Sequence, residues 1–145
     1  MSLFSVFGIA ATALAAQTVR MNTTASNMAN ANSASSSIGS TYRAREPVFS
    51  AMLDQTDGFG FGADDTAAAG VQVDGIVESQ APLRREYQPG SPLADQDGFV
   101  YLPNVNPVEE MANMISASRT YQTNIEIMDA SKQMLARTLT LGQSQ

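Results

Sequence analysis

The stretch NPVEEMANMISASRTYQTNIEIMDASKQMLARTLTLGQSQ, residues 106–145, decides the fold. One row of its side chains is spaced by alternating steps of four and three residues, which is typical of a helix that packs along another helix. The row consists of Met114, Ser118, Tyr121, Ile125, Met128, Lys132, Leu135 and Leu139. A helix of about 35 residues spans roughly 50 Å. A rod of that length in a chain of 145 residues needs a second helix as its partner.

Signals for both ends of this helix are present. Asn106 is suited to the N-cap, Pro107 to the first helical position, and Glu109 to the return bond of a capping box. Gly142 is the expected stop. Lys132 is the one charged member of the row. It either fixes the register or, as we favour, carries its ammonium group out to water on its long stem.

The first 31 residues contain a matching helix, with Ser2 suited to its cap. Its row has the same spacing and consists of Phe7, Ala11, Leu14, Thr18, Met21, Ala25 and Met28. A helix on a globular core normally shows a charged face to water, whereas this segment offers mostly Ala, Ser, Thr, Gln and Asn. We therefore expect the two terminal helices to lie side by side and antiparallel.

Apolar side chains beside both rows exceed what two helices can bury together. They are Phe4, Val6 and Ile9 in the N-terminal helix and Val108, Ile115, Ile127, Met134 and Leu141 in the C-terminal helix. An apolar surface of this extent is typical of contact sites with other chains. The sequence therefore predicts neighbours outside the subunit along both helices.

Between the helices, the pattern changes to short β-strands. The expected strands are residues 42–53, 71–78, 83–87 and 99–102, and the Gly- and Asp-rich residues 55–70 are expected to form a flexible loop. The predicted fold class is α+β, with long N- and C-terminal helices paired as an antiparallel coiled coil and a small β-rich insertion between them. The predicted domains are a helical core of residues 1–34 and 104–145 and a β-rich outer arm of residues 35–103.

Composition excludes several functional classes. The chain has a net charge of −6 and a single lysine, so it lacks the basic surface that neutralises the phosphates of nucleic acids. Neither Cys nor His is present, which excludes disulfides, thiolate metal sites and imidazole catalysis. No Lys or Arg precedes the apolar start, which disfavours a cleaved signal peptide, and the Ala, Ser, Thr and Gly in that run disfavour a membrane span.

No catalytic, cofactor-binding or metal-binding residues are predicted. The glycines Gly58, Gly60 and Gly62 are followed by neither a Lys nor an immediate helix, which disfavours a phosphate cradle. The fragment DQDG, residues 95–98, resembles part of a calcium loop, but Asn106 stands where a bidentate Glu is required. A plain β-turn is the favoured interpretation there. No pair of nucleophile and base can be named.

Short motifs distributed over most of the chain carry a family resemblance. They are FGIA at 7–10, ALAAQ at 13–17, ASNMANAN at 25–32, YRAR at 42–45, VESQAP at 77–82, YQPGSPLADQDG at 87–98, YLPNV at 101–105, MISASRTY at 114–121 and TLTLGQ at 138–143. In combination they resemble bacterial flagellar axial proteins, and most of all the proximal rod proteins of the basal body. Residues 55–70 have no evident counterpart.

The resemblance implies a non-enzymatic structural subunit of the flagellar rod, which transmits torque across the periplasm and is needed for motility. It implies export through the flagellar type III apparatus without a cleaved signal peptide. The implied partners are other rod proteins and copies of the chain itself, with no nucleic acid, membrane span or cofactor. Assembly contacts are then expected at Phe7, Leu14, Met21, Asn27, Met28, Ala29, Asn30, Met114, Tyr121, Ile125, Met128, Leu135 and Leu139, of which Asn27, Ala29 and Asn30 belong to the family motif.

Two other functional classes stay open from the residues alone. One is a self-contained secreted binding module, in which the helices close on each other and the β part recognises a partner or a calcium ion. The other is a hydrolase, which would require an activity that depends on a specific carboxylate such as Asp95 or Asp97. A fully helical monomer that unfolds cooperatively would favour the binding module over an assembling subunit.

Overall fold

In sequence order, four short strands lie between two long helices. A computed structural model describes residues 3–53 and 68–143. The elements in chain order are α1 (Leu3–Asn30), β1 (Arg45–Leu53), β2 (Ala68–Glu78), β3 (Arg84–Tyr87), β4 (Phe99–Leu102) and α2 (Pro107–Gln143). The predicted α+β fold class is therefore confirmed. Ser2 and the glycines at 58, 60 and 62 lie outside the described residues, and residues 68–70, expected in the loop, belong to β2 instead.

The two helices pack against each other in opposite directions. Nδ2 of Asn27 donates to Oε1 of Glu110 at 2.9 Å, and Nη2 of Arg20 donates to Oδ1 of Asn113 at 3.2 Å. Asn27 follows Arg20 along α1, whereas its partner Glu110 precedes Asn113 along α2. The two helices are therefore antiparallel. The Ala content of α1 favours a helix by propensity and also lets the partner backbone approach closely.

Asn106 caps the N-terminus of α2 as predicted, but α2 does not stop at Gly142. Oδ1 of Asn106 accepts the N–H of Val108 at 3.1 Å. Among the described residues, no hydrogen bond returns from Glu109 to Asn106, so the expected capping box is half formed. The predicted stop at Gly142 was wrong, because α2 continues through it to Gln143. A glycine inside a helix costs only about 1 kcal/mol relative to Ala, so it does not end a helix by itself.

Strands β1 and β2 form an antiparallel two-stranded sheet, here called the arm sheet, that lies along α1. One end is fixed beside Asn27, whose side chain bonds the backbone of Arg45. The other end reaches Thr12, whose hydroxyl oxygen accepts the N–H of Val71 at 3.2 Å. The two attachment points on α1 are 15 residues apart, which is roughly 22 Å of helix.

Strands β3 and β4 form a second antiparallel sheet, which continues from a turn organised by Asp95. Its Oδ1 accepts the N–H groups of Asp97 at 2.9 Å and Phe99 at 2.8 Å, and its Oδ2 accepts the hydroxyl of Tyr101 at 3.1 Å. These hydrogen bonds hold the pKa of the Asp95 carboxyl below its usual value, and the bond from the Phe99 N–H contributes most. Gly98, at a φ of 79°, donates to the Asp95 carbonyl at 3.0 Å. The favoured β-turn is confirmed.

The hydrophobic core is small and made mostly of small side chains. Ala31, Ala44 and Val105 cluster against the half-buried Tyr42, where the end of α1 meets the segments before β1 and α2. The largest fully buried side chains of the described residues are Val100, Asn27 and Pro103. Hydrophobic stabilisation scales with the apolar area removed from water. The isolated chain therefore gains little of it.

Candidate functional site

The face of α2 that packs on α1 combines large half-buried side chains with small buried ones. Ala117 is 0% exposed and Ser131 is buried, while Met114, Tyr121 and Met128 are half buried on the same side. The inward positions are 114, 117, 121, 124, 128, 131 and 135, so the steps are three and then four. Small residues at alternate steps let the two helix backbones approach closely.

The predicted row of α2 was therefore right at every seventh residue and wrong at most positions between. Met114, Tyr121, Met128 and Leu135 lie inward as expected. In contrast, Ile125, Lys132 and Leu139 are exposed, and Leu139 reaches 67%. The inward places of Ile125 and Lys132 are taken by the smaller Asn124 and Ser131, one residue earlier, because helices approach most closely where side-chain volume is low. The favoured interpretation of Lys132, with its ammonium group in water, agrees with its exposure.

The N-terminal row shows the same offset. Its seventh-residue members Phe7, Leu14, Met21 and Met28 are half buried. The members predicted between them, Ala11, Thr18 and Ala25, are exposed. The inward residues are instead Ala10, Gln17 and Thr24, each one position earlier, and the same spacing continues to the buried Ala31 just after α1. Both helices thus follow a three-then-four spacing where the sequence suggested four-then-three.

Asn27, which is 2% exposed, uses all four hydrogen-bonding positions of its amide. Nδ2 donates to the carbonyl of Arg45 at 2.8 Å and to the carboxylate of Glu110 at 2.9 Å. Oδ1 accepts the hydroxyl of Tyr42 at 2.8 Å and the N–H of Arg45 at 2.9 Å. The Arg45 N–H can only donate and its carbonyl can only accept, which fixes the orientation of the amide. We call Asn27, Tyr42, Arg45 and Glu110 the Asn27 junction.

The Asn27 junction connects α1, β1 and α2 at one point. Burial raises the pKa of the Tyr42 hydroxyl; Arg45 opposes this effect, and Glu110 and Glu78 add to it. The hydroxyl therefore stays protonated and available as a donor. Because the amide of Asn27 is saturated within its own chain, a direct bond from it to another chain would have to displace one of these partners.

The other two residues of the family motif are more accessible. Ala29 is exposed. Asn30 is half buried and donates from Nδ2 to the carbonyl of Ser26 at 2.8 Å, one turn back along α1. The motif therefore combines one buried structural amide with residues at the surface of the last turn of α1.

Large apolar side chains line the parts of α2 that point away from α1. They are Val108, Met111, Ile115, Ile125, Ile127, Met134 and Leu139, which we call the free face of α2. Val108 is 70% exposed. Among the helices and strands of the described chain, only α1 packs against α2. The free face is therefore the strongest candidate for a contact with other chains.

The arm sheet approaches α1 most closely at Gly70. A Cβ atom at Gly70 would lie 2.5 Å from Oγ1 of Thr12, the same oxygen that accepts the N–H of Val71. A side chain of any kind at this position would push the end of the sheet away from the helix. At Gly75, further along β2, no atom lies within 4 Å of the corresponding position.

We expect Gly70→Ala to loosen this end of the arm sheet, because the added methyl group and the Thr12 hydroxyl cannot occupy their present positions together. Cleavage of the arm sheet by chymotrypsin should rise severalfold in limited proteolysis of the full-length chain. Gly75→Ala is the matched control, since its methyl group enters open space. Equal cleavage of the two variants would contradict the close contact.

Comparison with known proteins assigns the chain to a family. The family described as "Flagellar basal body rod FlgEFG protein C-terminal" matches residues 96–141, which contain β4 and most of α2. Flagellar basal-body rod protein FlgC of Salmonella typhimurium is 49% identical over 143 residues, covering 99% of this chain and 100% of the relative. The chain belongs to the FlgC family. FlgC of Escherichia coli O6:H1 is 46% identical with the same coverage, and FlgC of Borreliella burgdorferi is 35% identical over 151 residues, covering 99% of each chain.

This FlgC-family chain is therefore a structural subunit of the flagellar basal-body rod, and other rod components are its expected partners. The resemblance inferred from the short motifs is confirmed. Within residues 3–53 and 68–143, neither helix is long and apolar enough to cross a membrane.

In this FlgC-family chain, sequence reasoning missed the partners of Asn27. Tyr42 and Arg45 stood out only as part of the YRAR motif, and Glu110 only as an acid at a helix start. One usable signal was present, because Asn27 lies next to Met28 on the inward side of a helix, and a buried amide needs several hydrogen-bond partners. Which residues supply them depends on contacts between segments distant in sequence.

Proposed function

We propose that this chain polymerises with other axial proteins and with copies of itself through its terminal helices, and so forms part of the torque-transmitting shaft that crosses the periplasm. The observation that carries the proposal is the free face of α2, a set of large exposed apolar side chains on a helix that, among the described helices and strands, only α1 packs against. Contacts between different faces of neighbouring subunits that do not close into a ring generate a helical filament. The role is mechanical and involves no enzymatic step.

Export without a cleaved signal peptide, through the flagellar type III apparatus, is part of the same proposal. The small core supports it, because a chain that buries few large apolar groups is easily kept unfolded until it reaches its assembly site. Neighbouring subunits would then cover the free face and complete the ordering of the helices. In this scheme residues 1–34 and 104–145 form the assembling core, and residues 35–103 form the outer arm.

A substitution on the free face tests the proposal. We expect Ile115→Asp to abolish swimming of a strain lacking the wild-type gene and to leave the chain absent from isolated basal bodies, because a carboxylate would be buried in an apolar contact. Ile115 is 57% exposed, so the far-UV circular dichroism of the chain should not change. Thr123→Asp, on an exposed polar position of the same helix, should swim normally. Normal swimming of Ile115→Asp would contradict the role of the free face.

A further inference from the structure

The end of α2 extends well past the start of α1. From the bond between Arg20 and Asn113, α1 runs 17 residues back to Leu3, whereas α2 runs 30 residues on to Gln143. The difference of 13 residues corresponds to roughly 20 Å of helix. Burial decreases along this stretch from the buried Ser131 through the half-buried Leu135. We call residues 132–143 the α2 end segment.

The α2 end segment is basic and has an apolar residue on an exposed face. Lys132 and Leu139 are seven residues apart, which places them on one side of the helix, and both are exposed. Arg137 adds a second positive charge, and no acidic residue follows Asp129 in the sequence. The segment thus presents a positively charged helix with exposed apolar side chains, Met134 and Leu139, and no described partner.

A cleft of about 580 Å³ lies near the opposite end of α2, where α1, β1 and the start of α2 meet. Pro47 and Phe49 form an apolar part of its lining, and Glu46, Glu109 and Glu110 contribute carboxylates. Among the described residues, the carboxylates of Glu46 and Glu109 form no ion pair. The cleft therefore places unpaired negative charge beside apolar side chains.

Two arginines also line the cleft, but neither neutralises these carboxylates. Arg45 forms its ion pair with Glu78, at 3.5 Å, outside the lining of the cleft. Arg20 is half buried and donates to Asn113 at 3.2 Å. With three carboxylates against two guanidinium groups, one of them paired elsewhere, the balance of charge in the cleft is negative.

We propose that the α2 end segment of one subunit docks into this cleft of a second copy of the chain. Leu139 packs against Phe49 and Pro47, and Lys132 lies beside the carboxylate of Glu109. The proposal rests on the proposed function and names the contact through which copies join. Charge and apolar surface are complementary, since the segment is basic with an exposed leucine and the cleft is acidic with an exposed phenylalanine.

The geometry makes this contact intermolecular and repeatable. Asn113 lines the cleft, and 26 residues of helix, roughly 39 Å, separate it from Leu139, so a subunit cannot fill its own cleft. After every docking step the oligomer keeps one free segment at one end and one free cleft at the other. A head-to-tail contact of this kind extends into a filament unless its rotation closes a ring.

Cysteine cross-linking tests the contact directly, because the natural chain contains no Cys. A disulfide requires Cα atoms within about 7 Å, so Phe49→Cys combined with Leu139→Cys can form one only between copies. Mild oxidation of this full-length double variant should give a reducible ladder of covalent oligomers. Phe49→Cys combined with Thr123→Cys should not. A double variant that stays monomeric on non-reducing gels, while sedimentation shows that the chain self-associates, would overturn the proposal.

Charge reversal gives a second test in living cells. Glu109→Lys and Lys132→Glu should each reduce the swimming-ring diameter at least twofold, and the two together should restore most of it. Glu86→Lys, at an exposed position on β3 that does not line the cleft, is the control for added charge. Failure of the pair to compensate refutes this contact alone if Ile115→Asp still abolishes assembly. Normal assembly of Ile115→Asp would refute the proposed function itself.

Discussion

Asn27→Asp is expected to lower the free energy of unfolding by about 2–5 kcal/mol, because it removes both N–H donors of the Asn27 amide and leaves their acceptors without partners. The new carboxylate would lie against that of Glu110, at the position where Nδ2 now donates at 2.9 Å, and the carbonyl of Arg45 would also lose its donor. Urea unfolding of the full-length chain, followed by circular dichroism, measures the loss. Swimming should be lost with it, because α1, β1 and α2 are no longer held in one arrangement.

A second substitution separates this mechanism from general damage. Adding Glu110→Gln to Asn27→Asp supplies an amide that can donate to the new carboxylate, and it should recover at least half of the lost stability. Asn22→Asp places the same charge at an exposed position of α1 and should change stability by less than about 0.5 kcal/mol. If Asn27→Asp and Asn22→Asp unfold at the same urea concentration, the Asn27 junction does not hold the elements together.

Residue spacing located both helices but misplaced part of the surface between them. The seventh-residue positions, such as Leu14 and Tyr121, were predicted correctly because a large side chain at that interval needs cover. The intermediate positions followed from a step of four after each large side chain, which selects Ile125 rather than Asn124. In α2 the structure places the smaller Asn124 and Ser131 inward instead, since a close helix pair excludes bulky side chains. A large apolar side chain that points away from the partner helix is unexpected in a monomer. In a subunit of an assembly, a neighbouring chain can cover it.

The Asn27 junction lay beyond sequence reasoning for a different reason. Its bonds join Asn27 to Tyr42, 15 residues away, and to Glu110, 83 residues away. Hydrophobic periodicity reports local structure and says nothing about which distant polar groups meet. The family motif marked Asn27 as notable without indicating whether its amide faces inward or toward a neighbour. Only the packing of α1 on α2 decides that it faces inward.

Ala117→Leu is expected to separate the two helices, because Ala117 is 0% exposed on the face where α2 meets α1. Adding three carbon atoms to a close-packed site costs about 1–3 kcal/mol, and the cost rises where the obstacle is the backbone of a neighbouring helix. Leu and Ala have similar helix propensities, so a loss of stability cannot be attributed to α2 alone. Ala112→Leu adds the same side chain at an exposed position of α2 and serves as the control.

A comparison of the two single variants Ala117→Leu and Ile115→Asp distinguishes packing within a chain from contact between chains. The two residues lie two positions apart on α2, yet one is buried against α1 and the other lies on the free face. Ala117→Leu should therefore lower both the urea midpoint and the swimming rate, whereas Ile115→Asp should lower swimming alone. If Ala117→Leu keeps the wild-type midpoint, the helices are not in close contact at this position. If Ile115→Asp also lowers the midpoint, its side chain stabilises the single chain, and the free face is then not reserved for neighbours.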